Sequence, residues 1–335
     1  MRLNVGFKKK VASLIGACGG AFLAECLPHS TRVLFYHGVK KGPIVHPVVE
    51  ADQITFDAFR KQIDFFAKRY RFLSPDEFYE RFMQRKFSKK ELLLTFDDGY
   101  ANTAEVVAPY LIEKNIPFLV FISPHLTETN QRTPSYYTFV AAYDPNLTKL
   151  DVESVKKTFP LNSDRDRYNT AMELLTYVRS LNEDDLIVFL KEVEENSSKE
   201  YREEAWEKYS STGLMSWEQA EALSREELAV VGSHCWRHSI LHAGQSDEEV
   251  VRQLRDSHDA IVQHCGKCDY FSYPNGGRDY VSAFAEEKSK DYYKMSFGVT
   301  RTQVKPTDVA SFVSRIGLFG DFNGVKTTFS LVSLK

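Results

Sequence analysis

The run Leu92-Leu93-Leu94-Thr95-Phe96-Asp97-Asp98-Gly99-Tyr100 begins as a continuous apolar stretch and stops at two adjacent carboxylates and a glycine. Continuous apolarity over so short a length is the pattern of a strand buried on both faces. Successive side chains of a strand point to opposite faces. Asp97 and Asp98 therefore project differently where the strand ends. One can bind a metal while the other reaches a water beside it. Gly99 lets the backbone turn away without a Cβ clash. The same letters also spell an ordinary acidic turn, since Asp-Gly is common turn chemistry.

The neighbouring sequence repeats the rhythm. Arg32 to Tyr36 reads as a short buried strand ending in His37-Gly38. Phe56, Phe59, Ile63 and Phe66 recur at helical spacing, and Arg71-Phe72-Leu73 reads as a second strand. Ser74-Pro75-Asp76-Glu77 is a helix start, with Pro at the first position and acids in the first turn. Asn102 to Lys114 reads as the helix after the acidic strand, and Phe118 to Ile122 as the next buried strand. Parallel crossovers are expected from this order.

From Thr127 to about Ser211 the rhythm breaks, and charged helical segments run Asp164–Ser180, Glu183–Glu195 and Lys199–Tyr209, with no convincing strand. The α/β pattern resumes afterwards, so residues 127–211 read as a helical insertion in a βα-loop. Leu228–Val231, Tyr270–Tyr273, Lys294–Val299 and Phe312–Leu318 complete the strands, with a long helix from Asp247 to about Gln263. No GxGxxG follows any strand, and polar residues gather at several strand ends. The expectation is an α/β fold, a distorted (β/α) barrel of about seven to eight parallel strands. Residues 32–126 and 212–335 would form it, preceded by an N-terminal segment, 1–31.

The chain has 335 residues and a net charge of −3, which gives no electrostatic reason to expect nucleic acid as a partner. Five cysteines imply no disulfide framework. Cys265-Gly-Lys-Cys268 has CxxC spacing but no second pair, and two ordinary thiols are the preferred reading. Lys8-Lys9-Lys10 precedes an apolar stretch in which Val11, Leu14, Ile15, Cys18 and Phe22 share a helical face. A retained helix that packs on the domain or touches a membrane surface is favoured, with a cytoplasmic or membrane-peripheral location. Export comes second: a basic start suits a signal, and Ile15-Gly16-Ala17-Cys18 resembles a lipoprotein cleavage box.

His234-Cys-Trp-Arg-His238 is the second chemical signal. If the segment turns helical after its strand, i, i+4 spacing puts both imidazoles on one face. Two imidazoles and one carboxylate leave an open position, which suits catalytic zinc. Nine histidines make a chance pair easy, but the location at a strand end matches that of Asp97-Asp98.

Three segments together resemble the first three motifs of the NodB-type polysaccharide deacetylases, metal-dependent carbohydrate esterases with a distorted (β/α) barrel. They are Thr95-Phe96-Asp97-Asp98-Gly99, Gly232-Ser233-His234-Cys-Trp-Arg-His238 and Phe271-Ser272-Tyr273-Pro274-Asn275-Gly276. The resemblance implies that Asp97 is the general base on the metal-activated water. Asp98, His234 and His238 would hold a divalent metal, Zn²⁺ being favoured. The backbone N–H of Asn275, after Pro274, would be an oxyanion donor, with Tyr273 in the substrate groove. Two departures stand out. The positions where the family carries arginines that orient the acid are Cys268 and Ser272 here. The family's terminal histidine is absent, and Ser314-Arg315-Ile316-Gly317-Leu318 takes its place. Arg315 has a related electrostatic role, another residue supplies the proton, or activity is lost. His37, closing the first strand on the same barrel face, is the natural proton source, with His242 its main competitor. Tyr273, Pro274, Asn275 and Arg315 are the expected substrate contacts.

The implied activity is removal of an N-acetyl or other acyl group from an amino sugar of a polysaccharide, a glycan precursor or a lipid-linked sugar. The alternatives are a glycan-binding protein with a degenerate site, and an O-acetyl esterase. Tyr136, Tyr137 and Trp206 of the insertion could stack on sugar faces or form its own small core.

Overall fold

A computed structural model describes residues 31–320, so the expected N-terminal helix lies outside the described residues. The described chain opens with β1 (Arg32–Tyr36), β2 (Gly38–Lys40) and β3 (Gln53–Thr55), then α1 (Phe56–Ala67), β4 (Arg71–Phe72), α2 (Pro75–Met83) and β5 (Glu91–Phe96). A π-helical turn, Thr103–Val107, leads into α3 (Ala108–Glu113) and β6 (Phe118–Ile122). Next come α4 (Pro124–Thr129), α5 (Pro134–Ala142), β7 (Lys149–Val152), β8 (Lys157–Pro160), α6 (Asp164–Val178), α7 (Glu183–Glu195) and α8 (Lys199–Lys208). The alternation resumes with α9 (Trp217–Ser224), β9 (Ala229–Ser233), α10 (Asp247–Cys265), β10 (Tyr270–Ser272), α11 (Ala283–Ser289), β11 (Met295–Phe297) and β12 (Ile316–Gly317).

The main sheet runs β11-β10-β9-β6-β5-β1-β12, with β4 beside the start of β5. Its pairings are parallel throughout. A single parallel bridge, Phe297 to Val313, joins β11 to the segment entering β12 and completes the curl. The result is the distorted (β/α) barrel expected from the sequence. β5 sits near its middle and is buried along its whole length. Its alternation sorts two cores. Leu92, Leu94 and Phe96 face the helices, beside Phe59, Ile63 and Phe66 of α1. Leu93 faces the barrel interior with Val33, Leu119, Phe121 and Phe297. A Leu→Ala change at Leu93 or Leu94 costs about 2–5 kcal/mol, transfer and cavity terms together. The same parity carries Thr95 and Asp97 towards the interior.

The surrounding helices start where side chains can cap them. Thr55 Oγ1 accepts from the Ala58 N–H at α1, and Ser74 Oγ from the Glu77 N–H at α2. The segment from α4 to α8 has an apolar cluster of its own, including Phe139, Leu174, Phe189 and Ala205. It is not all helical: β7 and β8 pair as an antiparallel hairpin. Leu150 and Val152 are buried while Lys149 and Asp151 are exposed, a period-two signal too short to stand out among charged helices. The expected helix Glu183–Glu195 has those bounds as α7. Among the described residues no helix is long and apolar enough to cross a membrane.

Candidate active site

Asp97 and Asp98 stand at the end of β5 and leave it in different directions, because the backbone reverses immediately. Asp98 has φ 68° and Gly99 φ 70°, two left-handed residues in succession. A Cβ on Gly99 would lie 2.8 Å from Ile122 Cγ2, so both conformation and space require glycine there. The turn leaves Asp97 inside the barrel and lifts Asp98 over its rim.

His234 and His238 follow β9, but not on a helix as expected. The segment is irregular, with Cys235 at φ 63° and His238 at φ 62°. These two left-handed residues, not helical spacing, fold the imidazoles together, with ring centroids 4.9 Å apart. Asp98 Oδ1 lies 3.2 Å from His234 Nε2 and 3.0 Å from His238 Nε2. The three ligand atoms fall within 4.8 Å of one another.

The donor chemistry of this cluster fits a cation. His234 Nδ1 lies 2.7 Å from the Ser272 carbonyl oxygen, an acceptor. Nδ1 must therefore carry the proton, and in the neutral ring Nε2 presents a lone pair to an acidic oxygen. Two acceptors facing each other need a proton or a metal ion between them. The Ser272 carbonyl is the kind of outer partner that would orient His234 towards a cation. Burial would raise the Asp98 carboxyl, but the charges of His37 and His238 and the close approach of the His234 and His238 imidazoles hold it well below the ordinary range.

Asp97 is gripped from behind. Arg315, wholly buried ahead of β12, donates from Nη1 to Asp97 Oδ1 and from Nη2 to Oδ2, both at 2.7 Å. The guanidinium also donates to Thr95 Oγ1 at 3.1 Å and Ser272 Oγ at 2.6 Å. Burial would raise the Asp97 carboxyl, but the Arg315 charge, His234 and the Arg315 hydrogen bonds outweigh it and keep the pKa below the ordinary value. The expected substrate contact by Arg315 is thus corrected: a residue with no exposed surface has its donors committed to Asp97 and its neighbours.

The other expected residues divide. His37 lines the same cavity as the acids. It packs against Phe35 and Phe319, and its Nδ1 is buried without a hydrogen-bond partner among the described residues. Burial would lower the imidazole pKa, but the carboxylates of Asp98, Asp52 and Asp97 raise it above the usual histidine value. His242 is elsewhere, donating from Nε2 to Leu181 O at 3.0 Å and accepting from the Gly244 N–H at Nδ1. Asn275 lines the cavity with φ 58°. Tyr273 borders it, but its hydroxyl turns away to Ser289 Oγ and Ser311 O, each at 2.9 Å. Pro274 is buried and is not part of the lining. Tyr136 and Trp206 pack on each other within the insertion, with Arg132 4.1 Å above the Trp206 ring.

The cavity encloses about 820 Å³. Two charged residues on it were not singled out from the sequence. Asp52 lies just before β3, and burial together with the Asp98 charge raises its carboxyl pKa against the pull of His37. Arg179 caps the end of α6 in the insertion. Both sit in connections, where no periodicity marks a residue as inward-facing.

A family model for polysaccharide deacetylase matches residues 84–293. No curated protein matches the sequence significantly. Among solved structures, the Streptococcus pyogenes deacetylase PplD in complex with acetate is similar at TM-score 0.58 and 14% identity, over 91% of this chain and 99% of that one. IcaB from Ammonifex degensii is similar at TM-score 0.54 and 18% identity, over 87% and 92%. A de-N-acetylase from Aggregatibacter actinomycetemcomitans is similar at TM-score 0.50 and 15% identity, over 89% and 99%. At these identities the likeness to solved structures speaks to the fold, while the family match spans more than half of the chain, including β5, β6, β9, β10 and both segments that bring Asp97, Asp98, His234 and His238 together, so the chain belongs to the polysaccharide deacetylase family and is a carbohydrate deacetylase.

Proposed function

We propose that the protein is a metal-dependent N-deacetylase acting on an amino sugar of a polysaccharide or glycan precursor. The observation that carries this reading is the convergence of Asp98, His234 and His238 beside an Asp97 clamped by Arg315. The oxygen and two nitrogens suit a divalent ion, Zn²⁺ before others. The ion, when bound, supplies Lewis acidity towards the acyl carbonyl and a lowered pKa for water. Asp97, ionised and fixed in orientation, takes the proton of the attacking water. The N–H of Asn275, a cavity-lining residue in a left-handed conformation, would donate to the developing oxyanion. His37 gives the departing nitrogen its proton, since an amide nitrogen leaves poorly as an anion. The likeness to a de-N-acetylase from Aggregatibacter actinomycetemcomitans supports amide rather than ester cleavage.

The experiment is to incubate metal-replete protein with N-acetylated oligosaccharides, O-acetylated glycans and lipid-linked amino sugars, measuring acetate and free amine together. Acetate with equimolar amine is the expected result. Acetate without amine makes the protein an O-acetyl esterase. Binding with neither product makes it a glycan-binding protein with a degenerate site.

A further inference from the structure

We propose that Arg179, assisted by Arg301, binds an anionic group, a carboxylate or a phosphate, on the glycan that enters the cavity. The inference rests on the deacetylase reading above and names the class of its substrate.

Arg179 stands on the cavity shared by the metal-ligand cluster and His37. Its Nε is buried without a hydrogen-bond partner among the described residues. Arg315 grips Asp97, and Arg167 donates to the carbonyl oxygens of Ala142, Asp144 and Leu147. Arg81, Arg132 and Arg237 also have a buried Nε without a partner among the described residues, but of these four arginines Arg179 alone lines the cavity. A buried guanidinium donor without an acceptor is costly unless a ligand or water completes it.

The residue is also held in place. The turn between α6 and α7 is tied to the loop that carries His238. His242 donates to Leu181 O at 3.0 Å, Gln245 Oε1 accepts from the Glu183 N–H at 3.1 Å, and Ser239 Oγ donates to Glu183. Arg179 thus reaches the site from an anchored turn. Asp52, on the same lining, feels the Arg179 charge, yet no ion pair joins them among the described residues. Arg301 is on the lining as well, in a left-handed conformation at φ 59°, which a non-glycine residue adopts at a cost. Two guanidiniums on the cavity that also holds Asp98, His234 and His238 favour a substrate with negative charge, and arginine's planar fork suits carboxylate and phosphate alike.

The test compares kcat/KM on three substrates: a neutral N-acetylglucosamine tetramer, an alternating N-acetylglucosamine–glucuronate tetrasaccharide, and the neutral tetramer bearing a 1-phosphate. Wild-type protein should prefer at least one acidic substrate by about tenfold or more, and the better of the two separates carboxylate from phosphate. Arg179→Gln should collapse that ratio, Arg179→Lys should keep part of it, and Arg301→Gln should reduce it. A wild-type preference for the neutral tetramer overturns the inference. So does an Arg179→Gln variant that slows all three equally, which makes Arg179 a structural residue. If no substrate is deacetylated, equilibrium binding of the same three to the full chain decides. An acidic-over-neutral preference that Arg179→Gln abolishes upholds the anion site while the deacetylase reading fails, and equal binding overturns the site.

Discussion

Arg315 and Asp97, 218 positions apart in sequence, meet as a two-point ion pair with both contacts at 2.7 Å. The pair lies on the inner face of the barrel, where Thr95 and Ser272 satisfy the remaining reach of the guanidinium. Its consequence is orientational. One carboxylate is held ionised and aimed, while its neighbour Asp98 is left to the histidines.

Replacing Arg315 should therefore change the base and not the metal. Arg315→Met leaves the Asp97 charge buried and unpaired, at a cost of about 3–5 kcal/mol. The arginine lowers the Asp97 pKa, so its loss should move the acid limb of the kcat/KM profile to higher pH. Arg315→Lys keeps a charge but loses the fork, and should fall between. Metal content by elemental analysis should stay at the wild-type level. An unshifted acid limb in a folded Arg315→Met protein would show that the pair does not tune Asp97.

The ligand set is checked by stoichiometry. Wild-type protein loaded with Zn²⁺ and desalted should retain one ion per chain, and a chelator should remove it along with activity. Asp98→Ala and the double change His234→Ala/His238→Ala should each retain none. Asp97→Asn should retain the ion and lose turnover by about 10²–10⁴-fold. Retention of a full equivalent by the double histidine variant would place the metal elsewhere.

Local signals are legible in this sequence, and features assembled from distant segments are not. The apolar run Leu92 to Phe96 and the acids after it could be read directly, because burial on both faces removes polar letters and a functional strand end restores them. The convergence of His234 and His238 was legible as a pairing but not as a shape. Left-handed conformations at Cys235 and His238 leave no mark in residue type, so helical spacing does not explain how the two imidazoles meet. Arg315 stands out in the sequence only because its segment takes the place of the family's terminal histidine; its partner Asp97 ends another strand, and only the barrel's closure brings the two together. Asp52 and Arg179 occupy connections without any repeating pattern. The β7–β8 hairpin was hidden because four-residue strands among charged helices give too few alternations to count.

His37 should be needed for amide cleavage and not for metal binding. It lines the cavity near Asp98, whereas both ring nitrogens of His242 are engaged with Leu181 and Gly244. His37→Ala should lose most turnover on an N-acetyl substrate. It should lose much less on an activated acetate ester, whose leaving group departs without a proton. His242→Ala should weaken the seating of the insertion and lower thermal stability, with the ratio of amide to ester turnover kept. Equal losses on both substrates in His37→Ala would argue against proton donation.

Glu50 offers a prediction about stability and pH, away from the chemistry. Its carboxylate is buried between the β2–β3 connection and the end of the insertion. It accepts from Lys40 Nζ, the Val45 N–H and Ser211 Oγ at 2.5 Å each, and from the His46 N–H at 3.1 Å. Burial would raise its pKa, but Lys40, Ser211 and the two backbone N–H groups outweigh that and hold it below the ordinary carboxylate value. A carboxyl with a depressed folded pKa contributes stability that is fully present above its unfolded pKa. That contribution is lost as pH falls through the folded pKa. Glu50→Gln replaces one acceptor oxygen by an NH₂ that faces donors, which should cost about 1–3 kcal/mol at neutral pH. The deficit should shrink as the pH falls below the ordinary carboxylate range and through the depressed folded pKa, where wild-type Glu50 itself takes up a proton. Thermal melts of both proteins across that range read the difference directly. A gap between them that stays constant from neutral to acid pH would mean that the ionised carboxylate is not what joins the insertion to the barrel.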